Sequence, residues 1–425
     1  MKKFYVFILF FVLAVNNYAL TLDDAVKNAL QNNLGLQYES KVIESKKFEY
    51  ESVKANRFPT FILDGKYTIL DEKKTEPFST PFGTNDVTIL EKDYYELFAG
   101  LRFNIYTGGL ISSSIKAKLH EKKIEDYKFE EEKNGLIYKA KSAYINILKL
   151  IANKKVVEEY IRSLNKHLND VKVMYEQGVV PYIDILQTEV KVEDAKQKLI
   201  DIENKIEIAK FNLATLMGKS KSTFDVEDID INVSLERKLD ELLTLATKNR
   251  SILKTFDENI KVIDLLKSVS KSNLLPKLYV QGGYQYSNSV DEVEPKGNFM
   301  VQFGISYNLT WDKPIKEVKA KDSMKYALIK YKNDMKLKIM LEVQNAYKSY
   351  ETAKKNLEVA KVQEEKAAEY FRIVDLKYKE GLASNTDLLD ANAMLVEAKM
   401  NVKNAYYEMI DKYFALEKSI GKELR

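Results

Sequence analysis

The sequence predicts a mostly α-helical chain, built as an internal tandem duplication, in which long antiparallel helical hairpins accompany four amphipathic β-strands. Three observations predict this fold. Two segments of more than 60 residues contain no proline. Residues 171–220 align without a gap on residues 374–423. Four short segments alternate apolar and polar side chains, a period of two that is typical of strands.

The N-terminal residues 1–19 have the pattern of a secretory signal peptide. Two lysines precede an uncharged apolar run from Phe4 to Val15, and Ala19 follows as the cleavage site that we expect. This run of 12 residues is short for a membrane-spanning helix, which needs about 20. We therefore expect an exported protein; an N-terminal membrane anchor is the alternative.

The composition narrows the classes of function. Charged residues make up 31% of the chain, and no apolar stretch after residue 20 approaches the roughly 18 residues of a transmembrane helix, so any membrane-embedded part must consist of strands. Cysteine is absent, which excludes disulfides, thiolate metal sites and a lipid-modified N-terminal cysteine. The net charge of +4 is small and evenly spread, which argues against a nucleic-acid partner.

The duplication divides the mature chain into two repeats, residues 20–219 and 235–425, joined by an acidic, irregular linker over residues 220–234. Near the start of each repeat the alignment shifts, so the first repeat has extra residues in the loop between its two strands. Each repeat therefore reads as short helix, helix, strand, strand, long helix, helix. The aligned pairs include Tyr175 with Tyr378, Gly178 with Gly381, Asp184 with Asp387, Ala195 with Ala398 and Gly218 with Gly421.

The four predicted strands are residues 61–69, 95–105, 278–286 and 299–311. Each has one mainly apolar face, as shown most clearly by Phe299, Val301 and Phe303 alternating with polar or small residues. A soluble sandwich would also have an apolar face, so that alternative stays open. Four strands are too few for a membrane barrel, which needs about 8, so a barrel requires several copies of the chain.

Aromatic residues and glycines mark the corner where each strand pair leads into a long helix. Tyr106 and Trp311 stand at these corners, where either an aromatic girdle at the membrane surface or simple corner packing would place them. Gly108 and Gly109 permit the tight turn that we expect there.

Residues 110–177 and 315–380 predict two helices of roughly 100 Å each, at about 1.5 Å per residue. In the second, apolar residues recur at alternating steps of four and three, which indicates a helix-pair seam. Each long helix reverses into an antiparallel partner, at Gly178 to Pro181 in the first repeat and at Gly381 to Asn385 in the second. The seam residues are Ile339, Val343, Ala346, Tyr350, Ala353, Leu357 and Ala360.

No catalytic motif is present, and we expect neither an enzyme nor a cofactor or metal. The segment Met217 to Ser220 imitates the end of a phosphate-binding loop, but Leu213 occupies a position that this motif reserves for glycine. The only histidines, His120 and His167, are far apart, and we expect them to be solvated.

The order of elements, the duplication and the turn residues together resemble the TolC-type family of outer-membrane efflux and secretion channels. The resemblance rests on Asn104 to Gly109 at the first strand-to-helix corner and on the paired tyrosines and glycines of the hairpin tips, Tyr175 with Gly178 and Tyr378 with Gly381. It implies a homotrimer with a 12-stranded barrel in the outer-membrane lipid of a Gram-negative bacterium and a helical tunnel in the periplasm. It also implies a periplasmic adaptor (membrane fusion protein) and an inner-membrane transporter as partners.

At the tips, the resemblance implies that Asp387, Asp390 and Asp184 form an acidic ring that gates the pore. Helix capping is the alternative for these acids. In the family a tip arginine joins the second tyrosine in the gate, but Ala383 stands at that place here. We therefore expect a passive export duct with a different latch. A periplasmic coiled-coil adaptor that never enters a membrane is the second hypothesis.

Overall fold

A computed structural model describes residues 19–228, 233–290, 293–308 and 310–424. Apart from Ala19, the predicted signal peptide lies outside these residues, as does part of the predicted linker. Both halves follow the predicted order of helix, helix, strand, strand, long helix, helix, except that the first half has an additional pair of strands. In the first repeat the elements are α1 (Leu22–Asn32), α2 (Leu34–Ala55), β1 (Thr60–Ile69), β2 (Lys74–Thr80), β3 (Gly83–Leu90), β4 (Asp93–Tyr106), α3 (Leu110–Glu176) and α4 (Tyr182–Leu216). In the second they are α5 (Leu239–Asn249), α6 (Ser251–Ser272), β5 (Lys277–Ser287), β6 (Gly297–Ser306), α7 (Lys313–Lys379) and α8 (Asn385–Ile420).

The four predicted strands form one antiparallel sheet in the order β1-β4-β5-β6. Residues that pair across strands share a face of the sheet, and the register places Phe61 opposite Leu101, and Tyr284 opposite Phe299. Most apolar positions of the four strands therefore share one face, while Glu96, Arg102 and the polar residues of β5 and β6 lie on the other, together with the apolar residues Ile62, Phe98 and Met300. Strands β1 and β6 are the edges, and in the part of the chain that the structure describes each pairs with one neighbour.

The extra residues of the first repeat form a separate hairpin of β2 and β3. The prediction that these residues form a loop is wrong; the segment is mostly polar and lacks the regular alternation seen in the other strands. Nearly all of the hairpin is exposed, including Phe78 and Phe82.

Strand β6 ends at Ser306, so the prediction that it continues to Trp311 is wrong. Thr310 and Trp311 are non-helical residues that lead into α7, and Leu309 lies outside the described residues. The positive φ of Trp311, 49°, is incompatible with an extended strand. Alternation alone did not reveal this change of backbone direction.

The chain divides into two compact units, each of which contains segments of both repeats. Of the described residues, those within 1–39, 129–251 and 336–425 form the first unit, and those within 40–128 and 252–335 form the second. The whole sheet belongs to the second unit. Among the described helices, none has an apolar stretch long enough to cross a membrane.

The core of the first unit lies where α3, α4 and α8 pack on α1. Tyr144 of α3 is fully buried, and its hydroxyl oxygen lies 2.8 Å from the carbonyl oxygens of both Leu20 and Glu227, so its one proton can donate to either. The predicted seam of α7 is confirmed, since six of its seven residues are buried and Ala346 is half-buried. Alanines alternate with larger residues along this seam, which lets the helices approach closely.

A buried ion cluster joins four helices in the same unit. Arg250, at the end of α5, binds Glu131 of α3 at 2.8 Å and Glu342 of α7 at 2.7 Å. It also donates to the carbonyl of Ser419 in α8, at 2.9 Å. The Arg250 side chain is only 8% exposed, so these partners replace the water that its charge would otherwise bind.

Candidate pore gate at the hairpin tips

The two hairpin tips have the same backbone structure. At the end of α3, Gly178 has a φ of 73°, its N–H donates to Tyr175, and the next N–H donates to Met174. At the end of α7, Gly381 has a φ of 72° and the corresponding bonds reach Tyr378 and Lys377. Both are Schellman motifs, in which a left-handed residue closes a helix and favours glycine. The sequence correctly predicted the position of both reversals.

The helices that return from the tips begin differently. Ser384 caps α8: its hydroxyl accepts from the Asp387 N–H at 3.1 Å, while the Asp387 carboxylate accepts from the Ser384 hydroxyl and N–H at 2.7 and 2.9 Å. These hydrogen bonds lower the pKa of Asp387. At the start of α4 the capping position is Pro181, which makes no side-chain cap.

Asp387 is thus a capping residue. Its partner Ser384 was not among the predicted site residues, although the serine-x-x-aspartate pattern indicates a capping pair. Asp390 lies one turn further along α8, with its side chain 63% exposed and 3.8 Å from the Lys191 ammonium. Asp184 is half-buried in the first turn of α4.

A buried polar cluster, which we call the tip clamp, connects the two hairpins. Asn385, 3% exposed, stands at its centre. Its amide N–H groups point to the Asp184 carbonyl at 3.2 Å and to the side chains of Thr188 and Gln187 at 3.3 and 3.4 Å. Its carbonyl oxygen lies 2.7 Å from Nε2 of His167. Because Asn385 uses this oxygen only as an acceptor, His167 must carry a proton on Nε2.

Tyr378 packs beside the clamp. Its ring meets the His167 ring edge to face, at 5.4 Å between centres, and its hydroxyl lies 4.0 Å from the Met174 sulfur. Burial, with Asp184 and Asp170 nearby, raises the pKa of the Tyr378 hydroxyl. Ala383 packs on the small apolar cluster of Val374, Leu388 and Ala391 that supports this tyrosine.

Both histidines are half-buried and hydrogen-bonded, so the expectation that they are solvated is wrong. His167 belongs to the tip clamp, and His120 of α3 binds Glu258 of α6. Glu258 is 5% exposed and also accepts from Lys261 at 2.7 Å. Although burial opposes it, hydrogen bonds from Lys261 and His120 lower the pKa of Glu258. These partners are distant in sequence and became visible only in the folded chain.

The second predicted site is the strand-to-helix corner. Tyr106 is the last residue of β4, and Gly108 and Gly109 follow with φ values of 62° and 85°. An added Cβ on Gly108 would lie 3.1 Å from both the Ser272 carbonyl and Leu275. Trp311 is 82% exposed just before α7. The corner geometry is as predicted, and a role of these aromatics at the membrane surface stays a prediction.

Metal ligation has no candidate here: across residues 19–228, 233–290, 293–308 and 310–424, no group of histidines and acids is placed to hold an ion. The tips and the corner contain capping, packing and charged groups rather than a nucleophile with a base. The arrangement can hold two helical hairpins together and present carboxylates at their ends.

Comparison with known proteins places the chain among bacterial outer-membrane proteins. The family described as outer membrane efflux protein matches residues 25–219 and 266–422. These two segments fall in the two predicted repeats. Over 421 aligned positions the chain is 20% identical to nodulation protein T of Rhizobium leguminosarum, covering 94% of this chain and 85% of that protein.

The chain is also 20% identical to outer membrane protein TolC of Vibrio cholerae over 330 positions, covering 73% of each chain. Among solved structures, the outer membrane protein VceC of Vibrio cholerae superposes with a TM-score of 0.78 at 15% identity, covering 95% of this chain and 97% of that one. This likeness shows a shared fold. The chain belongs to the outer membrane efflux protein family, a family of transporters, and it is an efflux channel of the outer membrane.

Proposed function

We propose that three copies of this chain form one continuous duct, in which their sheets close a 12-stranded barrel and their helical hairpins line a tunnel. The observation that carries this proposal is the sheet itself. One face is apolar and exposed, and the outer edges of β1 and β6 have no strand partner among the described residues. An exposed apolar edge would aggregate unless it is covered, and closure between copies covers every edge.

Exposed apolar residues on the helices support lateral assembly. On α4, Ile183, Leu186 and Val190 follow the spacing of one helix face and are all exposed. On α7, Ile373 and Leu376 are likewise exposed. Contiguous apolar surface of this kind marks protein contacts. In our proposal a neighbouring copy covers it, a periplasmic adaptor contacts the outside, and an inner-membrane transporter delivers the cargo.

The number of copies is tested by native mass measurement in detergent. A mass of three protomers is expected, and a dimer would contradict the assignment. Fractionation without detergent tests the membrane location independently. A protein that stays soluble would favour the periplasmic adaptor hypothesis.

We further propose that the tips form the gate, with the tip clamp holding the two hairpins of each chain together in the closed duct. Asn385 and His167 would then take the holding role that the family assigns to an arginine, in whose place Ala383 stands. Asp387 and Asp390 from three chains would crowd six carboxylates around the axis, with Asp184 close by. Such a ring attracts cations, and divalent cations favour oxygen ligands.

The capping role of Asp387 shapes the experiment, because removing this residue also destabilises α8. Asp390→Asn removes a charge without touching the cap. In planar bilayers this variant should weaken divalent-cation block and cation preference, while the control Asp201→Asn, an exposed acid well along α4, should not. Unchanged block in Asp390→Asn, together with loss of helix stability by about 1 kcal/mol in Asp387→Ala, would show that Asp387 only caps the helix and that Asp390 has no role in the gate.

A further inference from the structure

At the end where β4 leads into α3, the polar face of the sheet carries positive charge with no acidic residue on the strands beside it. Arg102 and Lys277 lie on this face, at register positions opposite Gln281 and Ser306. The acids of the four strands are Asp64, Asp93 and Glu96, and all lie beyond Gly100 toward the other end. There, Lys66 balances Glu96 at 3.6 Å.

Arg102 is held in place by neutral partners. Its Nε and Nη2 atoms donate to the Gln281 side-chain oxygen at 2.9 and 2.5 Å. Its guanidinium lies 5.1 Å from the centre of the Tyr279 ring. That ring lies across Gly304, where an added Cβ would collide with it. Because neither glutamine nor tyrosine neutralises the charge, Arg102 presents a fixed, exposed cation on the polar face.

We propose that Arg102, together with Lys277, forms a belt on the inner wall of the barrel that favours anionic solutes. This inference rests on the proposed function, in which three copies place their polar faces inward. Six cations would then surround the passage just before the helical tunnel. Carboxylates, phosphates and sulfonates match the donor geometry of the arginine. The belt would therefore favour organic anions, whereas the acidic tips favour cations.

The absence of cysteine from the whole chain allows a local test of this potential. Gln302 lies two strands from Arg102 in the same row of the register, roughly 10 Å away at about 4.8 Å per strand. Gln302→Cys is modified with an anionic sulfonatoethyl and a cationic trimethylammonium-ethyl thiosulfonate reagent. At about 10 mM salt, Arg102→Gln should lower the anionic-to-cationic rate ratio about threefold.

Asn298→Cys is the matched control, because Asn298 lies on the same face of the same strand, about 13 Å further along. Asn298 is therefore about 16 Å from Arg102, and because the Debye length at about 10 mM salt is about 30 Å, the ratio there should still fall with Arg102→Gln, but only about 1.7-fold. At about 1 M salt the effect at Gln302→Cys should disappear, since the Debye length falls to about 3 Å. Arg102→Lys keeps the charge and should preserve the ratio. A ratio unchanged by Arg102→Gln would overturn the inference.

Channel current separates this failure from a failure of the proposed function. Either reagent on Gln302→Cys should reduce single-channel current if the polar face lines the passage. Current that is insensitive to both reagents would refute the inward-facing barrel and the belt with it. Reduced current combined with an unchanged rate ratio would refute the belt alone.

Discussion

Removing Asn385 should weaken the hold between the two hairpins of each chain. The Asn385 side chain accepts one hydrogen bond from His167 and can donate two, to Asp184 and to either Thr188 or Gln187. Three bonds at about 1 kcal/mol net each amount to roughly 3 kcal/mol. His167 is half-buried and can recover some bonding to water, so we expect Asn385→Ala to cost about 2–3 kcal/mol per chain.

This cost converts directly into gating if the tips close the duct. A loss of about 1.4 kcal/mol changes an equilibrium tenfold, so the closed-to-open ratio for the tip of each chain should fall roughly 30- to 140-fold. Open probability in planar bilayers measures this ratio. Ser384 and Asp387 remain intact in the variant, so the cap of α8 is preserved.

Asn392→Ala is the matched control, since Asn392 is also buried on α8 and makes one bond, to Ser163 at 3.3 Å. We expect an effect of about 1 kcal/mol, or roughly fivefold. Equal open probabilities for the two variants would refute the argument. So would a fall in thermal stability of Asn385→Ala with no change in current, because the clamp would then be structural only.

Two further predictions concern stability, measured by thermal unfolding in detergent. Arg250→Met should destabilise the first unit by about 2–3 kcal/mol. This is less than the roughly 3–5 kcal/mol typical of a broken buried ion pair, because Glu342 keeps its ion pair with Lys418 at 2.6 Å. Arg250→Lys should reduce the stability by a smaller amount. Although burial opposes it, hydrogen bonds from Lys418 and Arg250 lower the pKa of Glu342 from 4.5. The Glu342 carboxylate therefore stabilises the fold above about pH 4.5, and this stabilisation is lost as the pH falls through the lowered pKa. The difference in free energy of unfolding between wild type and Arg250→Met should become smaller at that low pH. A difference that stays constant with pH would contradict this account. Gly381→Ala should destabilise the protein by about 1 kcal/mol, since the φ of 72° at this position disfavours a Cβ. Gly135 lies inside α3 with open space around it, so Gly135→Ala should stabilise the protein by about 0.5–1 kcal/mol. A change of stability in the same direction for both variants would be inconsistent with backbone strain at Gly381.

Much of the fold could be predicted because it depends on local periods. The long helices begin and end within a few residues of the predicted bounds, since glycine and proline residues mark where they begin and end. Strands β1, β4 and β5 follow the alternation closely. Where the local signal is weak the prediction failed: the polar β2–β3 hairpin was assigned to a loop, and β6 was extended past Ser306 into the turn before α7.

The candidate site was only partly predictable for the same reason. Gly178 and Gly381 could be located because left-handed closure of a helix selects glycine at one position. The partners of Asn385, His167 and His120 could not, because each lies more than 130 residues away in sequence and no local pattern encodes such a contact.

By itself, the sequence determined the duplication, the length of the helices, the strand faces and the positions of the tips. These features depend on the hydrophobic period and on the glycines and prolines that end helices, which are local properties of the chain. Only the tertiary structure decided which polar groups meet: the tip clamp around Asn385, the ion cluster around Arg250 and the unbalanced charge of Arg102. Each of these contacts depends on how elements distant in the chain align with each other. Because a buried polar group without a partner is costly, burial then selects one partner among many.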